Sequence, residues 1–134
     1  DGILYDMSFS KDLLWNRYDA NDIYKRYYEL VFQLIESQLF TQLAHPDTIK
    51  LFQIYPTYDL KPTYQKMAEL LKAHHMKAEN NVGCYYRYHH PDMGLSQELL
   101  QIFKDNHVDL IYASDAHQPQ DVGNYIREAT LQMN

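Results

Sequence analysis

Apolar side chains recur every three or four positions between residues 19 and 38, with Tyr24, Tyr27, Tyr28, Val31, Leu34 and Ile35 on one face. That period predicts an amphipathic helix, capped by Asp19 or Asn21 and running to about Gln38. Residues 1–18 show no comparable period and are expected to be irregular. Leu39–Ala44 is a short run that meets His45-Pro46-Asp47. It reads as a buried strand stopped by a turn, because the residue before a proline avoids the α region. A second helix is expected after Pro62, with Met67, Leu70 and Leu71 inward. Met76–Asn80 predicts a second strand, broken by Asn80-Asn81-Val82-Gly83. Ser96 is a natural cap for a third helix that turns Leu99, Leu100 and Phe103 inward. Val108–Ala113 predicts a third strand, and a last helix is expected from about Asp121, with Val122, Tyr125, Ile126 and Ala129 on one face.

Helices and short strands thus alternate along the chain, which argues for an α/β fold of parallel strands with crossover helices. Polar residues gather just after each strand: His45 after the first, Glu79 to Gly83 at the second, Asp115 and His117 after the third. In parallel α/β folds the C-terminal strand ends are where chemistry is done.

Composition narrows the class. A chain of 134 residues is read as one domain, and its 46% hydrophobic and 22% charged residues are ordinary for a globular protein. A net charge of −6 argues against a sequence-independent nucleic-acid binder, which needs a basic surface. No apolar run approaches the ~20 residues of a membrane span, and no secretory signal pattern opens the chain. The one cysteine, Cys84, excludes an intramolecular disulfide framework and fits a reducing, cytoplasmic setting. Cys84 itself reads as a small buried residue, and the thirteen tyrosines as half-buried amphipathic surface.

Three segments carry candidate chemistry. In Ser114-Asp115-Ala116-His117 a carboxylate and an imidazole lie two apart, beyond a strand, a donor pair that suits zinc, manganese or iron. A polar loop in which Asp115 caps a turn is the plainer alternative. In Ala44-His45-Pro46-Asp47 the proline stiffens the backbone that aims His45. Glu79-Asn80-Asn81-Val82-Gly83 is suited to line a polar pocket into which Arg87 brings a planar fork for phosphate. An ordinary turn with a solvated arginine is its plainer alternative. Tyr85, Tyr86 and Tyr88 are candidates to wall a pocket for an imidazole ring, and His89-His90 for substrate contacts. His74, His75 and His107 read as helix-end residues.

Taken in order, these segments resemble the polymerase and histidinol phosphatase (PHP) family, histidinol phosphatases in particular. There a strand leads into a Gly-His-Pro-Asp-like segment, followed by a Glu-x-Asn strand end and then Ser-Asp-Ala-His with Pro and Val-Gly beyond it. The chain shows Ala44-His45-Pro46-Asp47, Glu79-Asn80-Asn81, and Ser114-Asp115-Ala116-His117 with Pro119 and Val122-Gly123. The match spans roughly residues 39–127 and departs at Ala44, where glycine is common.

The resemblance implies the C-terminal part of a distorted (β/α) barrel over residues 1–134. It implies a multinuclear site of divalent metal ions (zinc, manganese or iron) with His45, Asp115 and His117 as ligands. Asp115 and His45 would serve catalysis, Arg87 the substrate phosphate, and Glu79 and Asn81 would orient their neighbours. The implied activity is hydrolysis of a small phosphomonoester, most simply histidinol phosphate in histidine biosynthesis, or another small phosphoester. The family's N-terminal His-x-His does not occur here, and the opening Asp1-Gly2-Ile3-Leu4 looks like the stretch after the family's middle strand. The expectation is therefore a partial barrel with an incomplete site, a fragment or association domain being the alternative. An open sheet edge near Leu39–Ala44 is expected to invite self-association.

Overall fold

The computed structural model describes residues 11–132, so the expectation for Asp1-Gly2-Ile3-Leu4 lies outside the described residues. A single π-helical turn at Lys11–Trp15 replaces the irregular structure expected there, and it buries Leu14 and Trp15. Helix α1, Ala20–Glu36, starts at Asp19, whose carboxylate accepts the Asn21 N–H at 2.8 Å. Asn21 is not the cap; its side-chain oxygen accepts the Thr57 N–H at 2.8 Å and ties down the loop before the second helix. Asp19→Ala should therefore cost about 1 kcal/mol of stability, read as a shift in the urea midpoint.

Strand β1 (Gln42–Leu43) is followed by a 3₁₀ turn at Thr48–Phe52, helix α2 (Lys61–Ala73), strand β2 (Lys77–Asn81) and a short helix α3 (Gly83–Tyr88). Helix α4 (Gln97–Asp105), strand β3 (Leu110–Ala113), a 3₁₀ turn at Pro119–Asp121 and helix α5 (Ile126–Leu131) complete the order. The strands form one parallel sheet in the order β1-β2-β3, with Leu43 opposite Ala78 and Asn80 opposite Tyr112. The α/β class is thus present as a three-stranded sheet, and the described residues close no barrel.

Strand residues alternate between faces. Ala78 and Leu110 pair on the side that packs with the apolar faces of α1, α2 and α4. Glu79 and Asn81 point the other way and stay half-exposed. The core includes Ile35, Ile49, Met67, Leu71, Leu99 and Phe103. Several tyrosines belong to it rather than to a half-buried surface: Tyr24, Tyr28 and Tyr64 are buried, and the Tyr28 and Tyr64 rings meet edge to face at 5.9 Å. Ser96 caps α4 by accepting the Leu99 N–H, and Leu99, Leu100 and Phe103 are inward as the spacing implies.

Three expectations need correction. Leu39–Ala44 is not a buried strand: pairing is confined to Gln42–Leu43, and Leu39 and Phe40 are 77% and 56% exposed. Leu70 is only half-buried in α2, while Met67 and Leu71 are fully inward. The last helix does not run from Asp121, because Gly123 at φ 84° and Tyr125 at φ 58° interrupt it. Val122 is left 73% exposed and α5 begins only at Ile126, with Ala129 as its buried residue. Among the described residues no helix is long and apolar enough to cross a membrane.

Candidate active site at the strand ends

The loops leaving the C-terminal ends of all three strands meet around one cavity of about 380 Å³. His45 and Thr48 come from beyond β1, Asn81, Cys84, Arg87 and Tyr88 from β2 and α3, and Asp115 and His117 from beyond β3. Three segments spread over some seventy residues thus contribute to one surface.

The backbone at two of these residues is unusual. His45 has φ 28° and Asp115 φ 55°. Left-handed residues at Gln38, Gln53, His75, His89 and His107 sit at helix ends, where that conformation is common. His45 and Asp115 instead follow strands, and such strain outside helix ends concentrates at functional positions.

Asp115 reaches inward because Gly83 leaves room. A Cβ on residue 83 would lie 2.5 Å from Asp115 Oδ2 and 2.6 Å from Asp115 Cβ. The Gly83 N–H donates to Asn81 Oδ1 at 2.8 Å, and Asn81 Nδ2 donates to Glu79 Oε1 at 2.9 Å. Glu79 therefore fixes the amide of Asn81, and Asn81 fixes the turn into α3. Tyr86 O–H donates to the Ser114 carbonyl at 2.7 Å, which ties α3 to the loop beyond β3.

Arg87 Nη1 donates to Asp115 Oδ2 at 2.5 Å, and its guanidinium lies 5.3 Å from the centre of the Tyr88 ring. His117 is exposed, with Nδ1 2.8 Å from the Asp115 carbonyl oxygen. A carbonyl oxygen only accepts, so this contact places the proton on Nδ1 and leaves Nε2 as the ring's acceptor, the tautomer of a metal-binding imidazole. In kind, His45, Asp115 and His117 fit a divalent ion. In number they fall short: among the described residues no three His, Cys, Asp or Glu side chains come close enough to hold one.

Behind the cavity lies a polar cluster that the motif reading missed. Lys50 is 4% exposed, and its Nζ sits 2.9 Å from Asp47 Oδ2, 3.2 Å from Asp92 Oδ2 and 2.6 Å from the Gly94 carbonyl oxygen. Asp47 Oδ2 also accepts the Ser96 N–H at 2.8 Å. Burial opposes the lysine charge, yet Asp47, by charge and hydrogen bond, and then Asp92 hold its pKa above the ordinary lysine value. His90 is buried beside them, away from a position for substrate contacts, with Nδ1 accepting the Asp92 N–H. Burial, then the Lys50 charge, lowers its pKa, so the ring stays neutral. Cys84 is half-buried, and burial pushes its thiol up, away from nucleophile chemistry. The only advance signal for this cluster was the Asp of His-Pro-Asp.

The aromatic residues of α3 divide between two surfaces. Tyr88 lines the cavity with Arg87, whereas Tyr85 and Tyr86 face away, against Tyr125, His89 and Pro91. The three tyrosines therefore do not wall one pocket together. In comparisons with known proteins, the chain matches no family model, no curated protein and no solved structure.

Proposed function

We propose that this chain supplies one side of the active site of a metal-dependent phosphomonoester hydrolase of the PHP type. Its three strands would be the C-terminal strands of a distorted (β/α) barrel. The observation that carries the reading is the meeting of His45, Arg87, Asp115 and His117, from the ends of three parallel strands, around one cavity. A volume near 380 Å³ suits a small phosphoester rather than a polymer. Histidinol phosphate is the first candidate and other small phosphoesters the alternative.

Arg87 neutralises a phosphate oxygen through its fork, and Tyr88 and Leu51 give the cavity its apolar wall. Glu79 holds Asn81 in place through its amide. His45, Asp115 and His117 are the donors this chain offers to metal. Divalent ions, when bound, polarise phosphate oxygens and lower the pKa of a bound water toward neutrality. The remaining donors would come from outside the described residues. A non-catalytic association domain is the second reading, favoured by the absence of a three-donor group among the described residues. The edge of β1, which no other strand of the described residues pairs, would then be the surface covered, by another copy. We place the protein in the cytoplasm on the same footing.

The test is phosphate release from histidinol phosphate and simple aryl phosphates with added manganese or zinc. It is run on this chain and on a longer chain that includes a His-x-His strand. Little turnover is expected from the chain alone, with turnover restored in the longer form and abolished by Asp115→Ala. Turnover that survives Asp115→Ala, or none in either form, would refute the reading.

A further inference from the structure

His90 is 1% exposed, and nothing in the proposed reaction uses it. Its Nδ1 accepts the Asp92 N–H at 3.1 Å, and its Nε2 lies 3.5 Å from the Tyr55 hydroxyl. The first contact fixes the state of the ring: a backbone N–H only donates, so Nδ1 carries no proton. Residues 89–96 are tied down at three further points. The Leu95 N–H donates to Asn80 Oδ1, the Ser96 N–H donates to Asp47 Oδ2, and the Gly94 carbonyl accepts from Lys50 Nζ.

We infer that His90 is an acid-sensitive latch for residues 89–96. A proton on Nδ1 makes it a second donor facing the Asp92 N–H, so the bond that seats Asp92 is lost. An acceptor within reach of the new proton is Asp92 Oδ2, 3.8 Å from Nδ1 and already 3.2 Å from Lys50 Nζ. Accepting that proton draws the Asp92 carboxylate away from Lys50. By either route the loop loses part of its anchorage to the buried cluster.

The groups around the ring decide the direction. Lys50 and Asp47 face it from the loop after β1, with Tyr55 beyond them, and Asp92 faces it from its own loop. Tyr85, Tyr86, His89 and Tyr125 share its outer surface. Asp92 and Asp47 favour the imidazolium, but burial and then the Lys50 charge outweigh them and hold the pKa below the ordinary histidine value. The stability that depends on a neutral His90 is therefore complete above about pH 6.5 and lost as pH falls toward the lowered value.

Two cavities border this loop. Cys84, which lines the cavity of about 380 Å³, has Sγ 3.6 Å from both the Asp92 and the Gly94 carbonyl oxygens. Pro91, Asp92, Met93 and Leu95 line a second cavity of about 540 Å³. Release of the loop thus alters a wall of the second cavity and the packing behind Cys84 in the first. The latch goes beyond the proposed function and needs neither metal nor substrate.

The experiment is amide hydrogen exchange followed by NMR on the full chain, with rates corrected for the intrinsic pH dependence of exchange. Between about pH 7.5 and about pH 5.5, protection of the Asp92, Leu95 and Ser96 amides should fall about five- to tenfold, because the released loop takes up a proton that the seated loop refuses. His90→Asn keeps an acceptor for the Asp92 N–H and cannot titrate, so its protection should not change with pH. His89→Asn, at the exposed neighbour, should keep the wild-type dependence. Equal wild-type protection at both pH values, or a dependence that survives His90→Asn, overturns the inference. Should His90→Asn fail to fold, titration of the His90 ring in wild type decides, and a pKa at or above about 6.5 overturns the latch.

Discussion

Lys50→Met should lower the free energy of unfolding by about 3–5 kcal/mol, the cost of stripping a buried ion cluster of one sign. Asp47 and Lys50 both have nearly inaccessible side chains and lie 2.9 Å apart. Without the ammonium, Asp47 keeps the Ser96 N–H, and Asp92 and the Gly94 carbonyl lose their cation. A buried carboxylate in that position either protonates or draws in water, and both routes loosen the loops at 45–53 and 89–96. Because a small domain has only about 5–15 kcal/mol in total, the variant should show a much lower urea midpoint, or unfold at 37 °C. The double variant Asp47→Asn/Lys50→Met removes the more deeply buried of the two uncompensated carboxylates and should recover a large part of the loss. The lysine pKa is raised in the fold. Its stabilisation is therefore fully present below the ordinary lysine value and lost only as pH rises through the higher folded value, so neutral and mildly alkaline pH should leave it intact. A single variant as stable as wild type would mean that the cluster is hydrated and contributes little.

How much of this was legible in the sequence depended on how local each cause is. Helix α4 was, because Ser96 and the spacing of Leu99, Leu100 and Phe103 act within nine residues. The polar residues after each strand were legible because strand ends in a parallel sheet share one rim, although nothing local shows that Arg87 would lie on Asp115. Helix α3 was not: Gly83-Cys84-Tyr85-Tyr86-Arg87-Tyr88 has poor intrinsic propensity. Its helix is held from outside, by Asn81 on its first N–H and by Ser114 on the Tyr86 hydroxyl. The Lys50 cluster was hidden for the same reason. Its members come from positions 47, 50, 90 and 92, and charged residues are expected at the surface until a distant partner is known. At the last helix the apolar spacing misled, because Val122 and Tyr125 keep a helical interval across a backbone that Gly123 and the left-handed Tyr125 have broken.

Gly83→Ala should lower stability by about 1–3 kcal/mol, the usual cost of overpacking, and lower kcat/KM about 100-fold in the form with a complete site, the scale expected when a reacting group is displaced by an ångström. Alanine suits the first position of a helix, and the φ of Gly83 is not in the left-handed range, so α3 itself tolerates the change. The obstacle is Asp115. Its Oδ2 and Cβ would sit 2.5 and 2.6 Å from the new methyl group, and Asn81 Oδ1 would sit 3.0 Å away. The carboxylate tip can rotate, but Asp115 Cβ is fixed by a backbone already at φ 55°. Relief therefore requires either the loop beyond β3 or the start of α3 to move by a large part of an ångström. Either movement separates Asp115 from Arg87 or carries both away from His45. The checks are kcat/KM for a phosphomonoester and urea unfolding, run on the same preparations. Wild-type kcat/KM with alanine at 83 would show that Asp115 takes no part in the chemistry, since it cannot keep its position beside that methyl group.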